Sequence, residues 1–199
     1  MKKKTGLTAG GLLVLTLLTA CAAPAENGIN IENDENMDAE DAPYQVKEIE
    51  MEETEEEHVK DQVSTLESMI GTIYAEAEKG DASNAVLNED VVHEMIDIAG
   101  AAGMSITCGS HDYNMLNYEP VDECLRSAEE GEKSEAEFYE MTTSGYFRYF
   151  RLQAEDENLT VTYANAAFND NGELQIRQME KFQAYDWKYT DKGWLIWEK

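Results

Sequence analysis

The feature that most constrains the fold is a change in the period of the apolar residues near residue 134. Before it, apolar side chains recur at steps of three and four, beginning with Val59, Val63 and Leu66. That spacing marks one face of a helix. After it, apolar and aromatic residues alternate with polar ones, as they do over residues 159–163, which is typical of a strand. Helices first and an antiparallel meander afterwards predict an α+β domain.

Three helices are predicted in the first half. The apolar stripe that starts at Val59 continues to Ala77, and Lys79–Gly80 supplies a helix end. A second helix follows Asn88, a good N-cap residue, and ends at Gly100. Pro120 suits the first turn of a third helix, which Gly131 ends.

The second half predicts strands separated by turn residues. Asn171–Gly172 is the strongest hairpin signal, because both residues accept the positive φ of a tight turn. Residues 182–189 either continue the strand that opens at Leu174 or form the next one. The predicted strands cover residues 135–143, 146–152, 159–163, 174–176, 182–189 and 194–197.

Residues 1–20 have the organisation of an export signal. Lys2, Lys3 and Lys4 precede a short apolar core that runs from Leu12 to Leu18. This core is too short for a permanent transmembrane helix. The signal predicts that the protein works outside the cytoplasm.

The end of this signal, Leu18-Thr19-Ala20-Cys21, resembles the lipobox of bacterial lipoproteins. The resemblance implies that the signal is cut before Cys21 and that its thiol carries a diacylglyceryl group. Two acyl chains anchor a protein stably where one does not. An ordinary secretory signal with an incidental cysteine is the alternative. We expect a lipid-anchored protein that faces outside the cytoplasm, with the membrane as its partner through the lipid.

A tether separates the anchor from the domain. Residues 22–57 contain 14 acidic residues and one basic residue, Lys47, without a sustained apolar period. Such a segment buries too little surface to offset the entropy of ordering it. We expect a disordered acidic linker over residues 21–57 and a globular domain over residues 58–199.

Net charge excludes some partners. The chain has 42 acidic and 15 basic residues, a formal net charge of −27. Nucleic acids and anionic lipid headgroups both require a basic surface. We expect neither to be bound by the domain, and a charge of this sign favours basic partners or cations.

The order of elements supplies a second resemblance. A long helix before a curved antiparallel sheet, with the closing segment Asp191–Ile196, is similar to the NTF2-like or cystatin-like group. The resemblance implies N-terminal helices packed on a C-terminal curved antiparallel sheet. That group contains enzymes, ligand carriers and assembly modules, so the fold does not decide the function.

Cys108 and Cys124 leave three interpretations open. They can form a disulfide in an oxidising compartment, or remain two reduced thiols with Cys124 on an apolar helix face. With His111 and Asp112 they can also be arranged as a zinc site, although no second pair of ligands is present. We favour no metal.

Candidate catalytic motifs are few. Cys108 and His111 could form a thiolate–imidazole pair, with Asp112 orienting the ring. Residues 169–173 resemble a calcium loop, but an EF-hand register places Ala167 and Gln178 where carboxylates belong. We therefore expect a hairpin there, with no catalytic residue and no cofactor.

Aromatic residues are the remaining candidates for binding. Alternation along a strand places about half of them on each face of the sheet. One face could form an exposed interaction surface, or helices could cover it and make those residues core. The candidates are Tyr146, Phe147, Tyr149, Phe150, Trp187, Tyr189, Trp194 and Trp197.

The function expected from the sequence is non-catalytic. A membrane-anchored surface lipoprotein would present the α+β domain for protein interaction or small-ligand binding at the cell envelope. The alternative is an enzyme with a pocket between sheet and helices and an unknown substrate. Convergent titratable groups in such a pocket would favour the enzyme.

Overall fold

The computed structural model describes residues 13–14, 48–80, 85–109, 113–156, 158–191 and 193–198. Three helices and seven strands make up this part of the chain, an α+β fold as predicted. The helices are α1 (Glu53–Glu76), α2 (Glu89–Ala101) and α3 (Glu119–Glu129). The strands are β1 (Leu13–Val14), β2 (Ile106–Cys108), β3 (Ser134–Met141), β4 (Tyr146–Glu155), β5 (Asn158–Phe168), β6 (Leu174–Tyr189) and β7 (Trp194–Glu198).

Helix α1 begins five residues before the start of the predicted domain. Its first turn contains Glu53, Glu55 and Glu56, and carboxylates near a helix N-terminus interact favourably with the helix dipole. The backbone N–H of Glu52 donates to the Glu55 carboxylate at 3.1 Å. These acidic residues, which the sequence assigns to the predicted linker, therefore stabilise the N-terminus of α1.

Ordered contacts with the sheet begin even earlier. The N–H of Ile49 donates to the carbonyl of Lys181 at 2.9 Å, and Glu48 forms an antiparallel bridge with Phe182. The last residues of the predicted linker thus run along β6. Residues 21–47 lie outside the described part of the chain.

The sheet is mixed, with strand order β1-β7-β6-β5-β4-β3-β2. The five strands β3 to β7 pair antiparallel in sequence order, as predicted, while β2 joins β3 in parallel and β1 joins β7 in parallel. Strand β2 was not predicted, because all of its three residues are buried and so short a run shows no alternation.

The two segments predicted at 174–176 and 182–189 are one strand, β6. The Asn171–Gly172 hairpin is confirmed: Gly172 has φ +79°, and the Asn169 side-chain oxygen accepts hydrogen bonds from Asn171 N and Glu173 N. The carboxamide therefore holds the turn that joins β5 to β6.

Helices cover both faces of the sheet, so the domain has three layers. On the first face, α1 and α2 pack through residues such as Leu66, Ile70 and Ile96. On the second face, α3 packs through Val121 and Leu125. Among the described residues, no helix combines the length and the apolar character needed to cross a bilayer.

Candidate functional site

A row of polar residues crosses the second face of the sheet. It consists of one residue from each of five adjacent strands, paired directly from strand to strand: Thr107, Glu140, Arg148, Asn165 and Gln178. Directly opposed residues on neighbouring strands have side chains close enough to interact. We call these five residues the polar row. It lies beside the apolar rows that α3 covers, so its residues share one face with core side chains.

An ion pair holds the middle of the polar row. Arg148 Nη1 lies 3.0 Å from Glu140 Oε2, and the two side chains are 19% and 11% exposed. Gly109 makes room for this pair, because a Cβ added there would lie 3.1 Å from Glu140 Oε1. The buried Arg148 Nε and Asn165 Oδ1 have no hydrogen-bond partner among the described residues. The middle of the polar row is therefore largely buried, and two of its polar atoms have no partner in the described part of the chain.

The polar row runs into a cleft of about 1100 Å³ at one end of the sheet. The β3–β4 turn, the β5–β6 hairpin and the segment that follows α1 form its walls. The described residues that line it are Tyr74, Ala75, Lys79, Gly80, Ala85, Ser144, Gly145, Tyr146, Asn165, Ala167, Phe168, Asn169, Asp170, Asn171, Gly172, Gln175, Arg177 and Gln178. A cavity of this size suits a small molecule.

The cleft differs in charge from the rest of the chain. Acidic residues number 42 of 199 in the whole chain. Of the 18 described residues that line the cleft, only Asp170 is acidic, and Lys79 and Arg177 are basic. Five others carry side-chain amides, which both donate and accept hydrogen bonds. The described lining of the cleft is therefore polar, with a small positive excess in a strongly acidic protein.

A β-bulge presents Arg177 to this cleft. Asn165 on β5 pairs with Gln178 and the next residue, Ala166, pairs with Ile176, so Arg177 is the extra residue on β6. Bulges re-aim side chains and are frequent beside functional sites. The Arg177 side chain is exposed, and no hydrogen bond or ion pair to another described residue engages it.

Aromatic packing fixes the opposite wall. The Tyr74 and Phe168 rings stack with centroids 3.9 Å apart, and Lys79 Nζ lies 4.7 Å from the Tyr74 centroid. Lys79 also donates to the carbonyls of Ala75, in the last turn of α1, and of Ala77, which follows the helix. These contacts hold the segment after α1 against the sheet. They also occupy the Tyr74 ring, which is therefore not an open stacking platform.

A second polar cluster lies between α1 and the first face. His58 Nε2 is 2.5 Å from Glu137 Oε1, and the Tyr139 hydroxyl donates to Gln62 Oε1 at 2.6 Å. Burial raises the pKa of Tyr149, and the nearby Glu137 carboxylate raises it further. Burial also raises the pKa of Tyr139. Both phenols stay protonated near neutral pH. The Tyr139 hydroxyl donates to Gln62, whereas the buried Tyr149 hydroxyl has no hydrogen-bond partner among the described residues.

The structure does not form the Cys108–Cys124 disulfide. Cys108 belongs to the core on the first face and Cys124 to the core on the second. The sheet separates them, and both are buried thiols. Burial raises the pKa of the Cys124 thiol, which keeps it in the unreactive protonated form.

The predicted aromatic surface is wrong for four of its eight residues. Phe147, Tyr149, Phe150 and Tyr189 are at most 3% exposed, because helices cover both faces of the sheet. Trp187 and Trp197 are partly buried and pack against the second core. Tyr146 is half-buried and lines the cleft. The side chain of Trp194 lies outside the described part.

Other predicted site residues are not described. Cys21, His111 and Asp112 lie outside the described part, so the lipid site and the thiolate–imidazole pair stay untested. A zinc site that uses both Cys108 and Cys124 does not form, because the sheet separates the two thiols. Within the described ranges, no group of three or more His, Cys, Asp or Glu side chains is placed to hold a metal ion.

Sequence reasoning missed the polar row and the cleft. Arg148 has the same strand parity as Phe150 and Leu152, and Asn165 the same parity as Val161. A polar residue at a core parity is the signal that could have found them. The parity of a residue gives no register, however. Only the pairing of five strands, β2 to β6, shows that these residues share one row.

The fold and the candidate site together describe a three-layer α+β domain with a polar cleft at one end of a mixed sheet. The model of a family of unknown function (DUF6070) matches residues 55–199, and the chain belongs to this family. The match starts within α1 and covers the three helices and strands β2 to β7. No curated protein and no solved structure matches the chain significantly.

Proposed function

We propose that this chain is a lipid-anchored envelope protein whose domain binds a small polar ligand in the cleft. The observation that carries the ligand-binding part is the charge contrast: the described lining of the cleft has one acidic and two basic residues, within a chain of net charge −27. Acidic side chains elsewhere keep the protein soluble. A neutral or anionic ligand requires a site with few acidic side chains, because acidic side chains repel an anion, and the described lining of the cleft meets this requirement.

The proposal narrows the function expected from the sequence. The protein-interaction surface expected from the sequence consisted of eight exposed aromatic residues, but four of those side chains belong to the core. Small-ligand binding needs a concave polar site, and the cleft supplies one. The NTF2-like or cystatin-like resemblance remains part of the proposal, supported by the order of helices before a curved sheet.

Ligand binding is tested by filling the cleft. Ala167 lines the cleft on β5, so Ala167→Trp places an indole inside it. Thr160→Trp is the matched control, because Thr160 is a half-buried residue at the other end of the same strand. The full chain is screened by thermal shift against soluble oligosaccharides, short peptides and nucleotides. We expect a stabilising compound whose effect Ala167→Trp abolishes and Thr160→Trp preserves; no such compound would refute the proposal.

Anchoring has its own test. Cells that express the full chain are labelled with an alkyne analogue of palmitate. We expect label on the wild-type protein in the membrane fraction and none on Cys21→Ala. Equal labelling of both proteins, or an unlabelled wild type, would contradict lipidation at Cys21.

Catalysis is the second candidate, favoured by the convergence of His58, Glu137 and Tyr149 under α1. A carboxylate beside an imidazole is an arrangement used for general acid–base chemistry. The ligand recovered after incubation separates the two functions. We expect its mass to be unchanged. A new product that disappears with His58→Gln would instead establish an enzyme.

A further inference from the structure

We propose that the ligand of the cleft is an acidic oligosaccharide whose carboxylate is bound by Arg177. This inference rests on the proposed function and names its ligand class. Two observations carry it: the bulge that presents Arg177 and the amide side chains of the lining.

Arg177 is placed to receive an anion. It is the unpaired residue of the β6 bulge, and its exposed guanidinium lines the cleft with no ion-pair partner among the described residues. The other described arginines, Arg126, Arg148 and Arg151, each contact a carboxylate. A guanidinium forms two parallel hydrogen bonds with a carboxylate. In so acidic a chain, an arginine left without such a partner at a concave site is available to a ligand.

The lining amides indicate hydroxyl groups on the rest of the ligand. Gln175 and Gln178 are exposed on β6, and Asn165 lies beside them on β5. The exposed amides of Gln175 and Gln178 each offer a donor and an acceptor, and a sugar hydroxyl needs both. A cavity of about 1100 Å³ has room for several sugar rings.

Two other ligand classes are outcomes of the test. A peptide that adds to a sheet would use the edge of β6, because its residues 174–180 pair with β5 alone in the described part of the chain. A nucleobase needs an open aromatic face, whereas the Tyr74 ring already contacts Phe168 and Lys79.

The test compares acidic and neutral oligosaccharides on the full chain in detergent micelles, by calorimetric titration. The probes are trigalacturonate, sialyllactose and a hyaluronan tetrasaccharide, with galactotriose, lactose and inorganic phosphate as comparison compounds. Arg177→Gln removes the guanidinium charge. Lys188→Gln removes the same charge from an exposed side chain further along β6 and is the matched control.

We expect at least one acidic probe to bind about tenfold more tightly than the neutral sugars. Arg177→Gln should remove that difference, and Lys188→Gln should preserve it. Equal binding of neutral and acidic sugars, or no effect of Arg177→Gln, would overturn the role of Arg177. If inorganic phosphate binds as tightly as the acidic sugars, the assignment of the ligand as a saccharide is overturned.

Failure of all three acidic probes would also overturn this inference. The proposed function then depends on the broader screen. A peptide, nucleotide or neutral sugar whose binding Ala167→Trp abolishes would leave ligand binding in place and refute only the ligand class. The two failures are thereby distinguishable.

Discussion

Glu140 and Arg148 face each other across β3 and β4, and their carboxylate and guanidinium meet at 3.0 Å in the middle of the polar row. Both side chains are largely buried on the same face as the apolar core under α3. An ion pair in such surroundings is costly to form but more costly to break, because the remaining partner is left buried and uncompensated. The pair therefore ties the wall of the cleft to the stability of the domain.

Removing one partner of this pair should destabilise the domain. We expect Glu140→Gln to lower the free energy of unfolding by about 3 kcal/mol, since it leaves the Arg148 charge unbalanced. Urea denaturation followed by circular dichroism measures the loss. The double variant Glu140→Gln/Arg148→Met should recover part of it, because no uncompensated charge remains.

A surface pair supplies the control. Lys133 and Glu155 form an ion pair at 3.1 Å with side chains 78% and 71% exposed. Lys133→Ala should leave the urea midpoint unchanged, because exposed pairs contribute little. Equal effects of Glu140→Gln and Lys133→Ala would show that burial does not matter at the polar row.

The hydrogen bond between Tyr189 and Asp122 should make stability depend on pH. Burial alone would raise the pKa of Asp122, but hydrogen bonds from Arg126 and Tyr189 outweigh it and hold the pKa below its ordinary value of 3.8. A carboxyl with a depressed folded-state pKa stabilises the fold above its unfolded-state pKa. That contribution is lost as pH falls through the folded-state value.

We therefore expect Asp122→Asn to cost about 1 kcal/mol near neutral pH. The difference from wild type should shrink as pH falls below about 3.8. Urea unfolding of both proteins across this range is the measurement. A difference that stays constant down to the lowest pH would contradict the assignment. Tyr189→Phe, which removes only the hydroxyl donor, should reproduce part of the effect.

The two thiols should be unreactive in the native protein. Cys108 and Cys124 are buried on opposite faces of the sheet. In the full chain with Cys21→Ala, we expect a thiol-specific reagent to label neither cysteine until urea unfolds the protein, and then to label both without prior reduction. A requirement for reductant, or a lower urea midpoint after reduction, would contradict the structure.

Most helices and strands could be predicted because the spacing of apolar residues that identifies each one lies within a single continuous segment of the sequence. The stripe from Val59 to Ala77 and the alternation of β4 and β5 each identify an element from its own sequence. Strand β2 could not be predicted in this way, since Ile106–Cys108 has only three residues and all of them are buried. The start of α1 was missed because acidic residues suit both a solvated linker and a helix N-terminus.

The candidate site could not be predicted because it depends on register. Glu140 and Arg148, which are eight residues apart, oppose each other only in one register of β3 and β4. Asn165 and Gln178 likewise oppose each other only because of the bulge in β6. Arg177 enters the cleft through a one-residue bulge, and a bulge leaves no pattern in the sequence. Conversely, the aromatics looked like a surface because alternation does not reveal which face a helix covers.

Side-chain amide NMR signals test most directly whether the cleft binds an acidic oligosaccharide. The full chain in detergent micelles is labelled with ¹⁵N, and a mixture of the three acidic oligosaccharides is added. We predict that the NH₂ signals of Asn165, Gln175 and Gln178 shift. Those of Gln153 and Gln183, at the far end of the sheet, should stay in place. Unchanged signals at all five residues, or shifts confined to Gln153 and Gln183, would contradict the account.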